Sequence, residues 1–217
     1  MDENQRAKLI LKILNKIYPK TSIPLKHNSK FTLLVSVLLS AQCTDVNVNN
    51  VTKYIYPKYN KPEHFAKLGK KKIEILIKKI GIFRIKAKSI YLMSKLLIKN
   101  HNSRVPNSFE ELEKLPGVGH KTAGVVMSQG FGYPAFPVDT HIHRLAQRWG
   151  LTNGKNVVQT ETDLKKLFPQ KSWNKLHLQM IYYGREYCKA RDCYGINCKI
   201  CTACYPNRKK KFKTIKA

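Results

Sequence analysis

Acidic side chains are scarce in this chain, and their scarcity limits the partners that it can have. The 217 residues include 13 Asp and Glu against 41 Lys and Arg, which gives a formal net charge of +28. Such an excess creates a positive field that attracts nucleic acid or anionic lipid. An AT-rich genome, which favours Lys, Asn and Ile, would raise the lysine content as well. The charge therefore predicts a polyanionic partner and says nothing about chemistry.

A long hydrophobic run is also missing, which argues against a membrane-spanning helix. The longest apolar stretch, Phe31 to Leu39, is well short of the roughly 20 residues that a bilayer requires. The N-terminus is polar and turns amphipathic at once, so we expect no signal peptide. No strongly cationic amphipathic helix stands outside the expected core. We therefore expect a cytoplasmic protein that does not bind membranes.

Strand-like alternation of apolar and polar residues is not found, and no segment repeats. Apolar residues instead recur with the period of a helix, in the stripes Ile10–Ile17, Phe31–Leu38 and Ile73–Ile80. Ser29 is expected to cap the second of these helices, and Ser108 with Glu111 has the spacing of a capping box. Turns rich in Gly and Pro separate the segments. With 42% hydrophobic residues, the chain is predicted to be folded and all-α.

Cysteine is absent from most of the chain. Five of the six cysteines lie between Cys188 and Cys204, and Cys43 stands alone. A secreted disulfide scaffold would spread its cysteines through the sequence. A cluster in a cytosolic protein instead indicates a metal or iron–sulfur site.

The segment Leu115 to Ala123 carries the strongest local motif. Pro116 ends one helix, two glycines allow a tight turn, and another helix begins near His120. The free N–H groups and dipole of that second helix make a site for a phosphate oxygen. The pattern is that of the helix-hairpin-helix motif, which also occurs in modules without catalysis; a plain turn is the simpler alternative. The residues expected to contact DNA are Gly117, Val118, Gly119 and His120.

Two residues near this hairpin have the chemistry of a reaction centre. Lys121 lies at the start of the second helix, where the helix terminus and partial burial favour a neutral, nucleophilic amine that can form a Schiff base. Asp139 is expected to cap a later helix, and such a carboxylate can stabilise a cationic sugar or deprotonate an incoming amine. Alone, each would more often be a solvated lysine or a simple cap.

Together these residues resemble a known superfamily. Lys121 in the hairpin, followed 18 positions later by Asp139 in Val-Asp-Thr-His, is similar to the signature of the helix-hairpin-helix–Gly/Pro–Asp glycosylases. Gly130 to Pro134 corresponds to the Gly/Pro part. Within the superfamily the chain resembles endonuclease III over nearly its whole length, including Leu38 to Asp45 and Gly81 to Lys88.

The resemblance implies a bifunctional DNA glycosylase and AP lyase of base excision repair. Lys121 would attack C1′ of a damaged nucleotide flipped from double-stranded DNA, and β-elimination would then cut the strand, with Asp139 as acid–base partner. Abasic sites would be substrates too, and oxidised pyrimidines are the expected bases. The protein would work as a monomer associated with the nucleoid.

Further site residues follow only from the resemblance. Gln42 corresponds to the residue that fills the space left by the flipped nucleotide, and Ile82 to an apolar wedge. A helix-terminal amide and a loop-anchoring core residue are the simpler interpretations of these two. Four polar positions match residues near the pocket, although Asp45 could simply cap the next helix: Ser40, Asp45, Glu113 and His141.

The resemblance also implies two helical domains with a DNA cleft between them. One would span residues 23–133, and the other would join residues 1–22 to residues 134–204. Lys121 and Asp139 would face each other across the cleft. Residues 205–217 carry six Lys or Arg and are expected to form a mobile basic tail that adds nonspecific phosphate affinity.

The cysteine cluster departs from the family pattern, Cys-x6-Cys-x2-Cys-x5-Cys. The spacing here is Cys188-x4-Cys193-x4-Cys198-x2-Cys201-x2-Cys204. Four thiolates can hold a [4Fe–4S] cluster or a structural zinc ion. We expect Cys188, Cys198, Cys201 and Cys204 to hold the cluster, with Cys193 as alternate. Zinc, or a rearranged site with neither, remains open, and in each case the role would be structural.

Two other functions compete with this one. An adenine mismatch glycosylase of the same superfamily would generally lack the nucleophilic Lys121 and carry a further C-terminal domain. A non-catalytic helix-hairpin-helix DNA-binding module would need neither Lys121 nor Asp139. The presence of both residues favours the bifunctional enzyme.

Overall fold

The computed structural model describes residues 1–216, and within them the chain folds into eleven α-helices, one short 3-10 helix and no strand. The α-helices are α1 (Glu3–Ile17), α2 (Lys30–Ser40), α3 (Asp45–Ile55), α4 (Pro62–Leu76), α5 (Phe83–His101), α6 (Phe109–Glu113), α7 (His120–Gly130), α8 (Thr140–Arg148), α9 (Val157–Leu167), α10 (Trp173–Glu186) and α11 (Lys199–Cys204). The 3-10 helix, Gln170–Ser172, leads into α10. None of the helices found in these residues is long and apolar enough to cross a membrane. The prediction of an all-α fold is confirmed.

The chain divides into two compact units. One unit consists of Met1–Ser22 and the chain from Pro134 onward, and the other consists of Ile23–Tyr133. Each unit has its own core of buried apolar side chains.

The unit formed by Ile23–Tyr133 is built around α2. Nearly every residue of α2 is buried, because α3, α5 and α7 all pack against it. The stripe Phe31–Leu38 faces this core, and each fully buried Leu, Val or Phe stabilises the fold by roughly 1.5–3 kcal/mol. Around this centre, α4 packs along α5, and α6 packs against α7. The hairpin between α6 and α7 is therefore held by α7, which packs against both α6 and α2.

The other unit has α8 and α10 at its centre, with α1 packed against α9, α10 and α11. The rings of Trp149 and Tyr183 meet edge to face there, with centroids 5.6 Å apart. The Tyr183 hydroxyl accepts a hydrogen bond from the Ile200 N–H at 3.1 Å, which ties the start of α11 to this core. Ile10 and Leu14, from the N-terminal stripe, are completely buried.

Two helices begin at the N-cap residues that the sequence predicts. Ser29 accepts a hydrogen bond from the Thr32 N–H at 3.2 Å, as predicted. Ser108 accepts one from the Glu111 N–H at 3.1 Å. The expected capping box is not completed, however, because the Glu111 carboxylate binds the Lys114 ammonium at 2.7 Å instead. The helix starts at the predicted residue with one of the two bonds.

The segment 205–216 is packed against its unit, whereas the sequence predicts a mobile tail. The Arg208 guanidinium donates to the Gly195 carbonyl at 3.1 Å. The Phe212 N–H donates to the Tyr194 carbonyl at 2.9 Å. The basic composition of the segment does not reveal these contacts, and its mobility stays a prediction.

Candidate active site and cysteine centre

The predicted hairpin is the turn between α6 and α7. Gly117 has a φ of 81°, and a Cβ at this position would lie 2.7 Å from the Cβ of Ser89 and 3.1 Å from Cδ1 of Leu38. Both the left-handed backbone and the close packing therefore require glycine. Val118 is buried and anchors the turn, whereas Gly119 is exposed and is the N-cap of α7. A glycine cap brings no side-chain oxygen to the start of α7, and a helix start of this kind binds anions.

His120 is held at the first position of α7 by two neighbours. Its ring stacks on Phe109, with centroids 5.4 Å apart and an interplanar angle of 26°. Its Nδ1 lies 2.7 Å from Oε1 of Glu113. Glu113, expected near the pocket from the resemblance, therefore orients the imidazole of the hairpin.

Lys121 and Asp139 each stand at the start of a helix. Lys121 lies in the first turn of α7 and is partly exposed. Asp139 is the N-cap of α8, and its Oδ1 accepts a hydrogen bond from the Ile142 N–H at 2.9 Å. The local arrangement thus matches the sequence prediction: a lysine directly after the glycine hairpin and a carboxylate fixed by a cap.

Gln42 and Ile82 lie at the tips of two loops, in the same unit as the hairpin. Both have left-handed backbones, with φ of 53° for Gln42 and 50° for Ile82. Such conformations are uncommon for residues other than glycine and are rare for a β-branched residue. Gln42 is exposed, and Ile82 is 48% exposed although it is strongly apolar. Two strained, exposed tips are features that cluster at ligand-binding surfaces.

The polar positions expected to be near the pocket have identifiable partners. The Ser40 hydroxyl donates to the Val37 carbonyl of its own helix at 2.8 Å. Asp45 is the first residue of α3, but the cap of that helix is Thr44, which accepts a hydrogen bond from the Asn47 N–H at 3.3 Å. The alternative that Asp45 is a simple N-cap is therefore wrong.

His141, in the first turn of α8, is linked to the cysteine-rich loop through Arg144. Its Nδ1 lies 3.3 Å from Nη2 of Arg144. The same Nη2 donates to the carbonyls of Gly184 at 3.2 Å and Cys188 at 3.1 Å. Arg144 therefore connects the helix that begins at Asp139 with the first cysteine of the cluster.

Four buried thiols converge in the C-terminal loop, and they are not the four expected. The Sγ atoms of Cys188, Cys193, Cys198 and Cys201 all lie within 4.8 Å of one another. Cys204 is buried but outside this group. It ends α11, one helical turn beyond Cys201, while the preceding loop folds Cys193 back so that its Sγ accepts the Cys198 N–H at 3.4 Å. In the convergent group the alternate, Cys193, therefore stands where Cys204 was expected.

The four thiols interact with one another and with a buried arginine. Arg148, on α8, is buried and donates to Sγ of Cys188 at 3.4 Å and to the carbonyl of Lys189 at 2.8 Å. Hydrogen bonds among the thiols lower the pKa of Cys193 and Cys198 and raise the pKa of Cys188 and Cys201. Burial raises the pKa of Cys204 to about 11. The four thiols differ from the fifth cysteine in position, because only their Sγ atoms converge.

Sequence reasoning missed Arg144 and Arg148 as partners of this centre. A signal was present, because the two residues are four apart on one helix and so share a face. Composition hid it, since two more arginines in so basic a chain carry little information.

The donor set fits a four-thiolate metal centre. A tetrahedral zinc ion with Zn–S bonds of about 2.3 Å places its sulfurs about 3.8 Å apart. The Sγ atoms of Cys188 and Cys193 each lie 3.8 Å from that of Cys201. A [4Fe–4S] cluster has an iron atom behind each thiolate, so it requires the sulfurs to stand farther apart.

Comparisons with known proteins identify the family of this chain. Residues 35–170 match the HhH-GPD superfamily of base excision DNA repair proteins. Over 200 residues, which cover 92% of this chain and 91% of the relative, the sequence is 40% identical to endonuclease III of Bacillus subtilis. The chain belongs to the endonuclease III family. Endonuclease III of Rickettsia prowazekii is 43% identical over 88% of this chain and 89% of its own.

A solved structure of an endonuclease III is also similar to this chain. It is a trapped covalent intermediate with DNA, and it superposes with a TM-score of 0.88 and 39% sequence identity over 92% of this chain and 94% of its own. The resemblance predicted from the motifs is confirmed. Membership of the endonuclease III family makes the chain a base excision repair enzyme, a DNA glycosylase with AP lyase activity, and makes DNA its partner.

Proposed function

We propose that this endonuclease III family member removes oxidised pyrimidines from double-stranded DNA and cuts the strand at the resulting abasic site, with Lys121 as the nucleophile. The observation that carries the proposal is the position of Lys121, in the first turn of α7 directly after the glycine hairpin. A lysine there sits beside the phosphate-binding helix start, where the DNA backbone is held. A similar endonuclease III was trapped as a covalent intermediate with DNA, which agrees with a protein nucleophile.

The proposed reaction proceeds in two steps at Lys121. The Nζ amine attacks C1′ of the damaged nucleotide, and the base leaves with the electrons of the C1′–N bond and takes up a proton. The amine loses its own proton, and the sugar ring opens to give a Schiff base between Nζ and C1′. The Schiff base acidifies the C2′ proton, whose loss expels the 3′ phosphate oxygen and cuts the strand.

Asp139 is proposed as the carboxylate partner of this chemistry. Its Oδ1 accepts the Ile142 N–H, so the side chain has a fixed direction at the start of α8. An oriented carboxylate can stabilise positive charge that develops on the sugar and can accept a proton from the Lys121 amine. Capping and catalysis are compatible, since the cap uses one carboxylate oxygen only.

The remaining predicted residues are proposed to handle the DNA. Gly117, Val118, Gly119 and His120 would hold a backbone phosphate, with His120 oriented by Glu113. Gln42 and Ile82 would enter the duplex as the damaged nucleotide leaves it. Residues that would shape the approach to the pocket are Ser40, Asp45 and His141.

The resemblance to the family's iron–sulfur loop supports a [4Fe–4S] cluster with a structural role as the first candidate for the four thiols, although their sulfurs lie closer together than a cluster requires. Through Arg144 and Arg148 the cysteine loop is bound to α8, so a filled centre would fix the helix that begins at Asp139. The 3.8 Å spacing of the sulfurs favours a second candidate, a single zinc ion. Metal analysis of the purified protein separates them: about four iron atoms per chain and visible absorption for the cluster, or about one zinc atom and no such absorption for the alternative.

A panel of labelled duplexes tests the proposed substrate. Each duplex carries one oxidised pyrimidine, one abasic site, one adenine opposite an oxidised guanine, or no lesion. We expect base release with strand cleavage at the oxidised pyrimidine and cleavage at the abasic site. Adenine release without cleavage would indicate the mismatch glycosylase instead, and tight binding without any product would indicate a binding module.

The oligomeric state needs a separate measurement. Sedimentation with and without DNA tests the proposal that the protein is a monomer. We expect this monomer to act at the nucleoid.

A further inference from the structure

Lys86 is a buried charge that the proposed reaction does not use. Its side chain is 3% exposed, whereas lysine is almost never buried without partners. Burial lowers the pKa of its ammonium group. An apolar residue of similar length could fill the same space without this desolvation penalty, so the ammonium must serve its partners.

The partners of Lys86 are the carbonyls where α2 ends. Nζ donates to the Leu39 carbonyl at 2.9 Å and to the Ala41 carbonyl at 2.6 Å. The last carbonyls of a helix lack partners within it and favour a nearby cation. Lys86 thus fixes the path of the chain as it leaves α2, directly before Gln42.

The backbone of Lys86 holds the second tip. Its N–H donates to the Ile82 carbonyl at 3.2 Å, in the first turn of α5. One residue therefore binds the loop before Gln42 with its side chain and the loop at Ile82 with its main chain. The two loops also lie close together, since a Cβ placed on Gly81 would be 3.4 Å from the Gln42 carbonyl oxygen.

Asn47 makes a second connection between the same loops. Its Nδ2 donates to the Lys79 carbonyl at 3.0 Å and lies 3.2 Å from Sγ of Cys43. Left-handed backbones such as those of Gln42 and Ile82 persist only where the surroundings fix them. Lys86 and Asn47 supply that fixation from the protein side of the two loops.

We propose that Lys86 is a positioning residue that joins the Gln42 and Ile82 loops into one preformed wedge for opening the duplex. The inference rests on the proposed function, in which these two tips enter the DNA. Its consequence is selective: Lys86 matters where a nucleotide must be extruded from a paired stack, and not for the chemistry at an abasic sugar that is already accessible.

The test compares Lys86→Met with Lys95→Met under single-turnover conditions. Lys95 is an exposed lysine on the same helix, so both variants lose one charge and gain the same side chain. The substrates are a fully paired duplex with one oxidised pyrimidine and a single strand with one abasic site. Misplacement of a positioned group by about 1 Å can slow a reaction on the order of 100-fold. We expect Lys86→Met to cleave the paired duplex at least tenfold more slowly and the single strand within about twofold of the unaltered protein.

Three results would overturn the inference. Lys86→Met could cleave the paired duplex as fast as Lys95→Met does, or it could lose both activities equally, as expected of general structural damage. The third is an unchanged hydrogen-exchange rate of the Cys43 amide, which donates to the Ser40 carbonyl at 3.0 Å and should exchange faster in Lys86→Met. If the unaltered protein cleaves neither substrate, the proposed function fails instead, and the two failures are thereby distinguished.

A second variant covers the case in which Lys86→Met does not fold. Asn47→Ala removes the other connection and leaves the buried ammonium in place. We expect the same selective loss on the paired duplex, smaller than that of Lys86→Met, with cleavage of the abasic single strand retained. If Asn47→Ala changes the cleavage rates of both substrates by the same factor, relative to the unaltered protein, the proposed wedge is contradicted.

Discussion

Gln147 and Ile215 hold each other through two hydrogen bonds. The side-chain amide of Gln147 donates to the Ile215 carbonyl at 3.0 Å, and its Oε1 accepts the Ile215 N–H at 2.7 Å. Gln147 lies on α8 and is buried, so the pair fixes the end of the C-terminal segment to the helix that begins at Asp139. The backbone that carries the basic side chains of this segment is thus tied to α8 near its end.

Replacement of Gln147 by Leu should release this segment. The change removes both hydrogen bonds, each of which contributes about 0.5–1.5 kcal/mol, so the free energy of unfolding should fall by about 1–3 kcal/mol. Trypsin should then cleave within the segment faster than in the unaltered protein. Gln170→Leu, at an exposed glutamine of the same unit, serves as control and should change neither. Equal cleavage rates in both variants would show that the pair does not hold the segment.

The two glycines of the hairpin should respond differently to alanine. Gly117→Ala forces a left-handed alanine whose Cβ would be 2.7 Å from Ser89, so we expect a loss of about 1–3 kcal/mol in the free energy of unfolding. A Cβ at Gly119 meets no atom within 4 Å, and its φ is −95°. Urea unfolding of the two variants measures the difference. Comparable destabilisation by both would contradict the described turn.

Local features of the site could be predicted from the sequence. Gly117 and Gly119 after Pro116, Lys121 at the next helix start and Asp139 before another all follow from turn and cap chemistry, which depends on near neighbours. The apolar stripe of α2 likewise predicts a buried helix, which the structure contains. The family resemblance then gave these residues their roles.

Features that depend on distant backbone atoms could not be predicted. Lys86 reads as one more surface lysine, because its acceptors at Leu39 and Ala41 lie more than 40 positions away. The docking of Ile215 on Gln147 and the selection of Cys193 have the same origin. In each case the partner is set by tertiary packing, which residue types and spacing do not encode.

Removal of single cysteines should show which thiols bind the metal. Cys193→Ala should lose most of the bound metal, because its Sγ belongs to the convergent group. Cys204→Ala is the matched control, a buried cysteine of the same unit, and should retain the metal with a small loss of stability. Metal content per chain and visible absorption measure both. Retention by Cys193→Ala with loss by Cys204→Ala would restore the ligand set expected from the family spacing.

Asp139→Asn should separate capping from catalysis. Asn is as good an N-cap as Asp, so the bond from Ile142 and the stability should be kept, whereas Asp139→Ala should cost about 1 kcal/mol. Both variants lose the negative charge, so the rate of base release should fall roughly 100- to 10,000-fold in each. If Asp139→Asn releases the base as fast as the unaltered protein does, Asp139 has a capping role only.

Borohydride trapping tests the central role of Lys121 most directly. A duplex with one oxidised pyrimidine is incubated with the unaltered protein, with Lys121→Ala, or with Lys72→Ala as an exposed-lysine control, and the reductant is then added. Reduction of the Schiff base should give a covalent protein–DNA adduct with the unaltered protein and the control, and none with Lys121→Ala. An adduct of equal yield with Lys121→Ala, or no adduct from an unaltered protein that binds the duplex, would contradict the assignment of Lys121 as the nucleophile.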